Sequence, residues 1–423
     1  MNAFSGDEDT PPEERRRRLR EMRFCGWTGS PFDKKIEEAA HLALLALRHG
    51  SPFPLNMDVT EEWGGVLNAG GFPAPAGELM QFCAPGESVR AGFARRLRET
   101  PGVIIAMDSK VIIQSGDRAG EEVGITVVER PAPKIPDIVQ QALAMVEAGE
   151  RPDSLLGEEY NEILNDPMEK ARHAATISAG ILLRWKFPPI RGVPQQKEHI
   201  KKWYLHRARF NSDVREQISL GRKYLDSEKN CLNAAMRHWG DLPKVPGLPE
   251  WPCPSYPAWR DIAQTVVHEE DEQWLSPWLA EDAAQWAASE RGIVWYVLKS
   301  FGRKVAELSG LRLHGGGPGA EARLKKEKGD ESIVCSIRSN GRGRNGLQFL
   351  YHHGLITNVP SSSKVWEQLG GRTVRRGQDK DCVFETYLHT KWFRRSFEEA
   401  LTRGEFNQEL LQTKYKLNAG WAG

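Results

Sequence analysis

The sequence predicts an α/β protein whose last block, residues 289–423, folds as a doubly wound parallel sheet. Three observations predict it. From GIVWYVL at residue 292 onward, short apolar and β-branched runs alternate with helical stretches, the pattern of strands joined by helical crossovers. Between residues 134 and 288 the runs lengthen and take a helical period, which marks a mostly helical insertion. The charge is also uneven. Over 423 residues, 58 Lys and Arg nearly balance 57 Asp and Glu for a net charge of +1, yet from Arg291 onward 23 basic residues face 13 acidic ones. A basic final block on a slightly acidic body fits a module that faces a polyanion.

In chain order, residues 1–21 are polar, carry the run Arg15 to Arg18, and read as an exposed lead-in. MRFCGW then reads as a strand, TGSPFD as a small-residue loop and EEAAHLALLALRHG as a buried helix, since Ala39, Leu42, Ala43, Leu45, Ala46 and Leu47 leave a broad apolar face. ESVRAGFARRLRET reads as a helix, PGVIIAMDSKVIIQ as two short β-branched runs and GITVVERPAP as a strand closed by prolines, completing a mixed segment over 22–133. In the insertion, IPDIVQQALAMVEAG, EKARHAATISAGILLRW, HIKKWYLHRARFNSDVREQISLGRKYL and EKNCLNAAMRHW share a helical period. GDLPKVPGLPEWPCPSYPAW is too rich in proline for regular structure, and Glu269 to Glu272 reads as a solvated acidic loop. The last block reads GIVWYVL strand, SFGRKVAELSG helix, LRLHGGG strand, EARLKKEKG helix, SIVCSI strand and GLQFLYHHG short helix. LITNVP strand, SSKVWEQLGGRTVRRG helix, VFETYLHT strand and a terminal helix from SFEEALTRGEF follow.

Composition excludes several classes. Hydrophobic residues at 39% and charged residues at 27% describe a folded globular chain rather than a disordered one. No apolar run approaches the roughly 20 residues of a membrane span, and the N-terminus lacks the apolar core of a signal peptide. Six cysteines without a CxxC pair support neither a zinc module nor a disulfide scaffold, so a cytoplasmic location with reduced thiols is expected. The eleven histidines form no HxH or HExxH pattern, and His352 and His353 read as a loop pair rather than a metal site. Tryptophans of the insertion read as core, with Trp27 and Trp185 left as candidates for stacking on a base.

The chemistry concentrates in QLGGRTVRRGQ, Gln368 to Gln378. Arg372 and Arg375 stand three apart, on one helical face, and Gly377 then lets the chain turn. A guanidinium pair offers permanently charged, bidentate donors suited to phosphate oxygens. A basic helix end favoured by the helix dipole would look the same from two arginines alone. The full string is more specific: Gln368, Arg372, Arg375, Gly377 and Gln378 in this spacing resemble motif VI of superfamily-two helicases, in the form used by Swi/Snf-type translocases. Some two dozen residues earlier, GRGRNGLQFLYHHGLITNVP resembles motif V of that family, with Gly341, Gly343, Asn345, Gly346 and Gln348 matching. GIVWYVLKSFGRKVAELSGLRLHGGG resembles the motif IV strand and helix. FCGWTGSPFDKK resembles motif III through Thr28, Gly29 and Pro31, with Ser30 where Thr is usual. FARRLRETPGVI occupies the place of an arginine-rich segment leading out of the first lobe, and GILLRWKFPP and WYLHRARF resemble the middle segment of phage and prophage helicases.

The resemblance implies a RecA-like second lobe over 289–423, a remnant of the first lobe over 22–133, and ATP with Mg2+ as cofactors. It implies Arg375 as an arginine finger, Arg372 as its partner, and Gln368, Gly377, Gln378, Gly343 and Asn345 at the nucleotide, with Gln368 and Gln378 helping to set the helix. Thr28, Gly341, Gly346 and Gln348 would lie along DNA, with Arg338, Arg342 and Arg344 beside the motif V turn on its phosphates. The sequence contains no GxxxxGK[ST] and no Gly-Lys pair, so it has no Walker A loop; Asp7-Glu8 follows no buried strand that would make it a Walker B. The chain is therefore expected to be the second half of a helicase, completed by a partner polypeptide that carries Walker A and B. The rival is a non-enzymatic DNA-binding accessory protein of replication or recombination that keeps the lobe for binding; an orphaned, truncated product is a third possibility.

Overall fold

A computed structural model describes residues 24–26, 31–70, 75–105, 110–156, 163–189, 196–222, 224–341 and 345–421. The described chain forms two units: one runs up to Val111 and adds Pro360–Gly370 and Glu398–Trp421, and the other takes Ile112–Val359 and Gly371–Phe397.

Among the described residues the second unit holds eight strands: β1 (Ile125–Arg130), β2 (Ile181–Lys186), β3 (Glu269–Trp274), β4 (Ile293–Tyr296), β5 (Leu313–His314), β6 (Ile333–Ser336), β7 (His353–Ile356) and β8 (Cys382–Tyr387). Six of them form one sheet in the order β1-β8-β7-β4-β6-β5, with every pairing parallel. From β4 the chain passes to the edge strand β5 and returns to β6 beside β4, then crosses to β7 and β8 on the other side, which makes the sheet doubly wound. β4 (IVWY) and β6 (IVCS) are buried at every residue, and their unbroken apolar runs reflect a sheet covered on both faces. The expected α/β lobe is thus present. Its edge differs from expectation: GITVVER, read with the first-lobe remnant, pairs with β8 from Ile125 opposite Cys382 to Arg130 opposite Tyr387. Its partner lies some 250 residues further on, and no local pattern signals a pairing at that distance.

The insertion is mostly helical, with helices Asp137–Ala148, Pro167–Ser178, Lys197–Ser219, Glu228–His238, Tyr256–Ala263 and Trp278–Ser289. Two expectations fail within it. ILLRW is not the end of a helix, and Glu269 to Glu272 is not a loop; they form β2 and β3, paired antiparallel with Lys186 opposite Glu269 and Arg184 opposite Asp271. Gly180 makes the break. It sits at φ +83°, and a Cβ there would stand 2.0 Å from the Ser276 carbonyl oxygen, so only glycine can end the helix and start β2. Arg172 of the preceding helix then pairs with the acidic strand, donating to both carboxylate oxygens of Glu270 at 2.7 and 2.6 Å. Trp203, Phe210, Val214, Tyr256 and Trp259 centre the core of this segment.

The first unit is helical where described, with helices Glu37–Leu47, Met57–Leu67 and Val89–Glu99. Phe32, Ile36, Phe53, Trp63 and Phe93 form its core with Phe406 and Leu410 of the long helix Lys391–Leu411. Asp33 anchors that helix: its carboxylate accepts from Ser362 Oγ at 2.8 Å and from Arg403 Nη1 at 2.8 Å, and its carbonyl accepts from Asn407 Nδ2 at 3.1 Å. The arginine-rich segment is built into the unit. Arg90 donates to the carbonyls of Leu67 and Asn68, and Arg96 donates to the Pro52 carbonyl while lying 4.2 Å over the Phe82 ring. Of the two runs expected in PGVIIAMDSKVIIQ, the described residues show only an isolated antiparallel bridge between Ile112 and Glu122. No helix among the described residues is long and apolar enough to cross a membrane.

Candidate functional site

Helix Ser363–Thr373 carries Gln368 and, one turn later, Arg372; the chain then turns through Arg375, Gly377 and Gln378 into β8. The turn is built from the backbone and one buried amide. Arg375 N donates to the Thr373 carbonyl at 3.0 Å and Gln378 N to the Arg375 carbonyl at 3.0 Å. Gln378 is buried. Its Nε2 donates to the carbonyls of Tyr351 at 3.0 Å and Thr373 at 3.3 Å, and its Oε1 accepts from the amides of Asp379 and Lys380, both at 3.1 Å. Every hydrogen-bonding capacity of that amide holds the loop, so Gln378 is a scaffold for the arginines rather than a contact for a ligand.

The glycine-rich turn comes up against this loop. It leaves β6 through the short helix Ile337–Asn340, capped by the Ser336 hydroxyl, which accepts from Ser339 N at 3.4 Å. Asn340, fully buried, donates to the His314 carbonyl at 2.8 Å and ties the turn to the end of β5. Two contacts then join the predicted motifs. Arg372 Nε donates to the Gly341 carbonyl at 3.1 Å, and Arg375 Nη1 donates to Asn345 Oδ1 at 2.7 Å. Gln348 is buried and accepts from Gly346 N at 3.0 Å, so its side chain braces its own turn.

The two arginines differ in setting. Burial pushes the Arg372 guanidinium below its ordinary value, and the charge of Arg375 adds to the effect. An arginine starts so far above neutrality that it stays charged. Arg375 is only partly buried, and its guanidinium is held by a neutral amide oxygen. Among the described residues it forms no ion pair, so its charge is positioned without being neutralised. Arg338 projects from the short helix into solvent. The arrangement can bind anionic oxygens beside the junction of the two turns.

Thr28, Gly29, Ser30, Trp27, Arg342, Gly343 and Arg344 lie outside the described residues, as does the lead-in 1–21. Trp185 is held in the insertion's core rather than free to stack on a base: its ring meets His268 at 3.9 Å and Trp203 at 6.0 Å, with Arg151 4.5 Å over it. His353 is not a loop residue; it opens β7, with Nε2 3.4 Å from Glu385 and Nδ1 3.2 Å from Glu290. Sequence reasoning missed Phe349, which lies 68% exposed at the end of the glycine-rich turn. Nothing in GLQFL distinguishes that ring from a core residue. No group of three or more His, Cys, Asp or Glu among the described residues could hold a metal ion.

No protein-family model matches the chain, and no curated protein matches it. Among solved structures it is similar to T4 UvsW, at 16% identity and a TM-score of 0.26 over 34% of this chain and 33% of that one. The chain thus spans about a third of that protein's length. It is also similar to the C-terminal part of the Fun30 ATPase domain, at 10% identity and a TM-score of 0.27 over 69% of this chain and 98% of that one.

Proposed function

We propose that this chain is the C-terminal portion of an ATP-dependent DNA helicase or translocase of superfamily two, in its Swi/Snf-like, phage or prophage branch. One observation carries the reading: two motifs separated in sequence meet in space, with Arg375 of QLGGRTVRRGQ seated on Asn345 of the glycine-rich turn. Arg372 and Arg375 fit phosphate oxygens, being charged, planar and braced. The sequence holds no Walker A loop, and that loop and the Mg2+ ligands would lie on a partner polypeptide.

ATP with Mg2+, when bound, supplies the phosphoryl group that passes to water. This chain's part is electrostatic. Arg375 places its guanidinium against charge developing on the transferred oxygens, Arg372 holds the Gly341 end of the turn, and Gln378 keeps the loop from collapsing. Arg338 and the neighbouring basic residues take phosphates of the DNA strand, which gives binding that weakens steeply with salt.

The test is ATP turnover by the chain mixed with the polypeptide encoded immediately upstream. The pair is expected to hydrolyse ATP in a DNA-dependent way, and the chain alone is not. DNA-stimulated turnover by the pure chain contradicts the split site. DNA binding with no turnover in a verified complex favours the accessory-protein reading.

A further inference from the structure

We infer that Phe349 is a stacking platform for a base of a bound nucleic-acid strand, an inference that rests on the reading just proposed. A single exposed apolar side chain needs no explanation by itself. Phe349 differs because it is exposed and held at once. Its neighbours Leu347, Gln348 and Tyr351 are buried while it stays in water. The ring lies against the backbone of Gly377, where a Cβ would stand 2.3 Å from Cε1, 2.9 Å from Cζ and 3.3 Å from Cδ1. Gly377 also sits at φ +95°, so glycine is required there both by the backbone and by the ring. Behind that glycine, buried Gln378 pins the loop. Behind the phenylalanine, Gln348 braces the turn. The ring therefore has one side on a rigid support and the rest open.

The surroundings name the ligand. Arg375 lies two residues from the supporting glycine, and Arg376 is exposed beside it. A flat apolar ring seated on the loop that carries two arginines matches a nucleobase of a strand whose phosphates those arginines can meet, and stacking on such a ring is tolerant of base identity. A free mononucleotide is held in a concave site that buries most of it. An open platform serves a strand, whose further phosphates supply the remaining affinity.

The experiment uses the full chain, a single-stranded oligonucleotide carrying 2-aminopurine, and an abasic strand of the same length and charge. The wild type is expected to quench the 2-aminopurine and to bind the base-bearing strand about tenfold more tightly than the abasic one, the scale of one base–aromatic stack. Phe349→Leu should abolish both the quench and the preference, leaving abasic affinity and its salt dependence unchanged. Phe349→Trp should keep both. A preference that survives in Phe349→Leu overturns the inference. So does AMP binding that is lost in Phe349→Leu while strand binding is not, since the ring would then serve a free nucleotide. Equal, salt-sensitive binding of both strands by the wild type sinks the platform alone; no binding of either strand sinks the nucleic-acid reading with it.

Discussion

Two places in the second unit use arginine in opposite ways. Under helix Trp278–Ser289, Arg130 of β1 donates to both carboxylate oxygens of Asp282 at 2.8 and 3.1 Å and lies 3.4 Å from Glu385. Tyr387 donates to Asp282 at 2.6 Å and Trp286 to Glu385 at 2.7 Å, so each carboxylate is shared between a cation and a ring donor. Burial opposes the Arg130 charge more than any one partner supports it, but Asp282 and Tyr387 together outweigh burial and raise the guanidinium above its ordinary value. At the junction of the glycine-rich turn and QLGGRTVRRGQ, Arg375 is held by a neutral amide. The difference teaches how to separate structural from functional arginines: a guanidinium whose charge is cancelled within the fold holds elements together, and one that is merely aimed remains available to an anion.

The comparison can be broken at either arginine. Arg375→Ala should lower ATP turnover of the completed pair on the order of a thousandfold, the scale of arginine fingers. It should leave stability within about half a kcal/mol, as for a surface change. Arg375→Lys should not rescue turnover, because an ammonium keeps the charge and loses the planar fork. Unchanged turnover in a verified complex ends the finger assignment. Arg130→Ala should do the reverse. It leaves Asp282 without its cation and Glu385 with His353 alone, and should cost about 3 kcal/mol of stability. Turnover per folded molecule should hold, and a stability close to wild type would show that Arg130 is not what secures β1 to the sheet.

The smallest expected effect sharpens the structural side. His353 is raised, chiefly by its hydrogen bond to Glu385 with Glu290 adding, against burial. A raised folded-state value means its contribution is fully present below the unfolded value, about 6.5, and is lost as pH rises through the folded one. The stability gap between wild type and His353→Gln should therefore narrow as pH is raised from acid to alkaline, read from thermal melts. A gap that widens would reverse the assigned charge state.

The contrast also explains what was legible beforehand. GIVWYVL and SIVCSI announce buried parallel strands because an unbroken apolar run is what a sheet covered on both faces requires. Gln368, Arg372, Arg375, Gly377 and Gln378 could be singled out as a candidate string because they lie within eleven residues of one helix end and turn. The pairing of β1 with β8 was not, because it depends on a contact across some 250 residues. ILLRW hid as helix because its apolar residues continue the preceding helical period, and the break rests on the single residue Gly180. The resemblance places Gln348 along the DNA, yet its amide oxygen accepts from Gly346 N within its own turn, and the amide of Gln378, read as helping to set the helix end, is engaged within its loop. Only the three-dimensional path of each loop shows which way a glutamine faces.

The most direct measurement of the claim that Arg375 is open to phosphate while Arg130 is committed is chemical. Phenylglyoxal modification of the folded chain can be followed at each arginine by peptide mass mapping, with and without inorganic pyrophosphate. Attack needs an accessible guanidinium, so Arg375 should be modified well ahead of Arg130, and pyrophosphate should slow Arg375 selectively. Arg375 reacting as slowly as Arg130, or pyrophosphate protecting neither residue, would contradict the account.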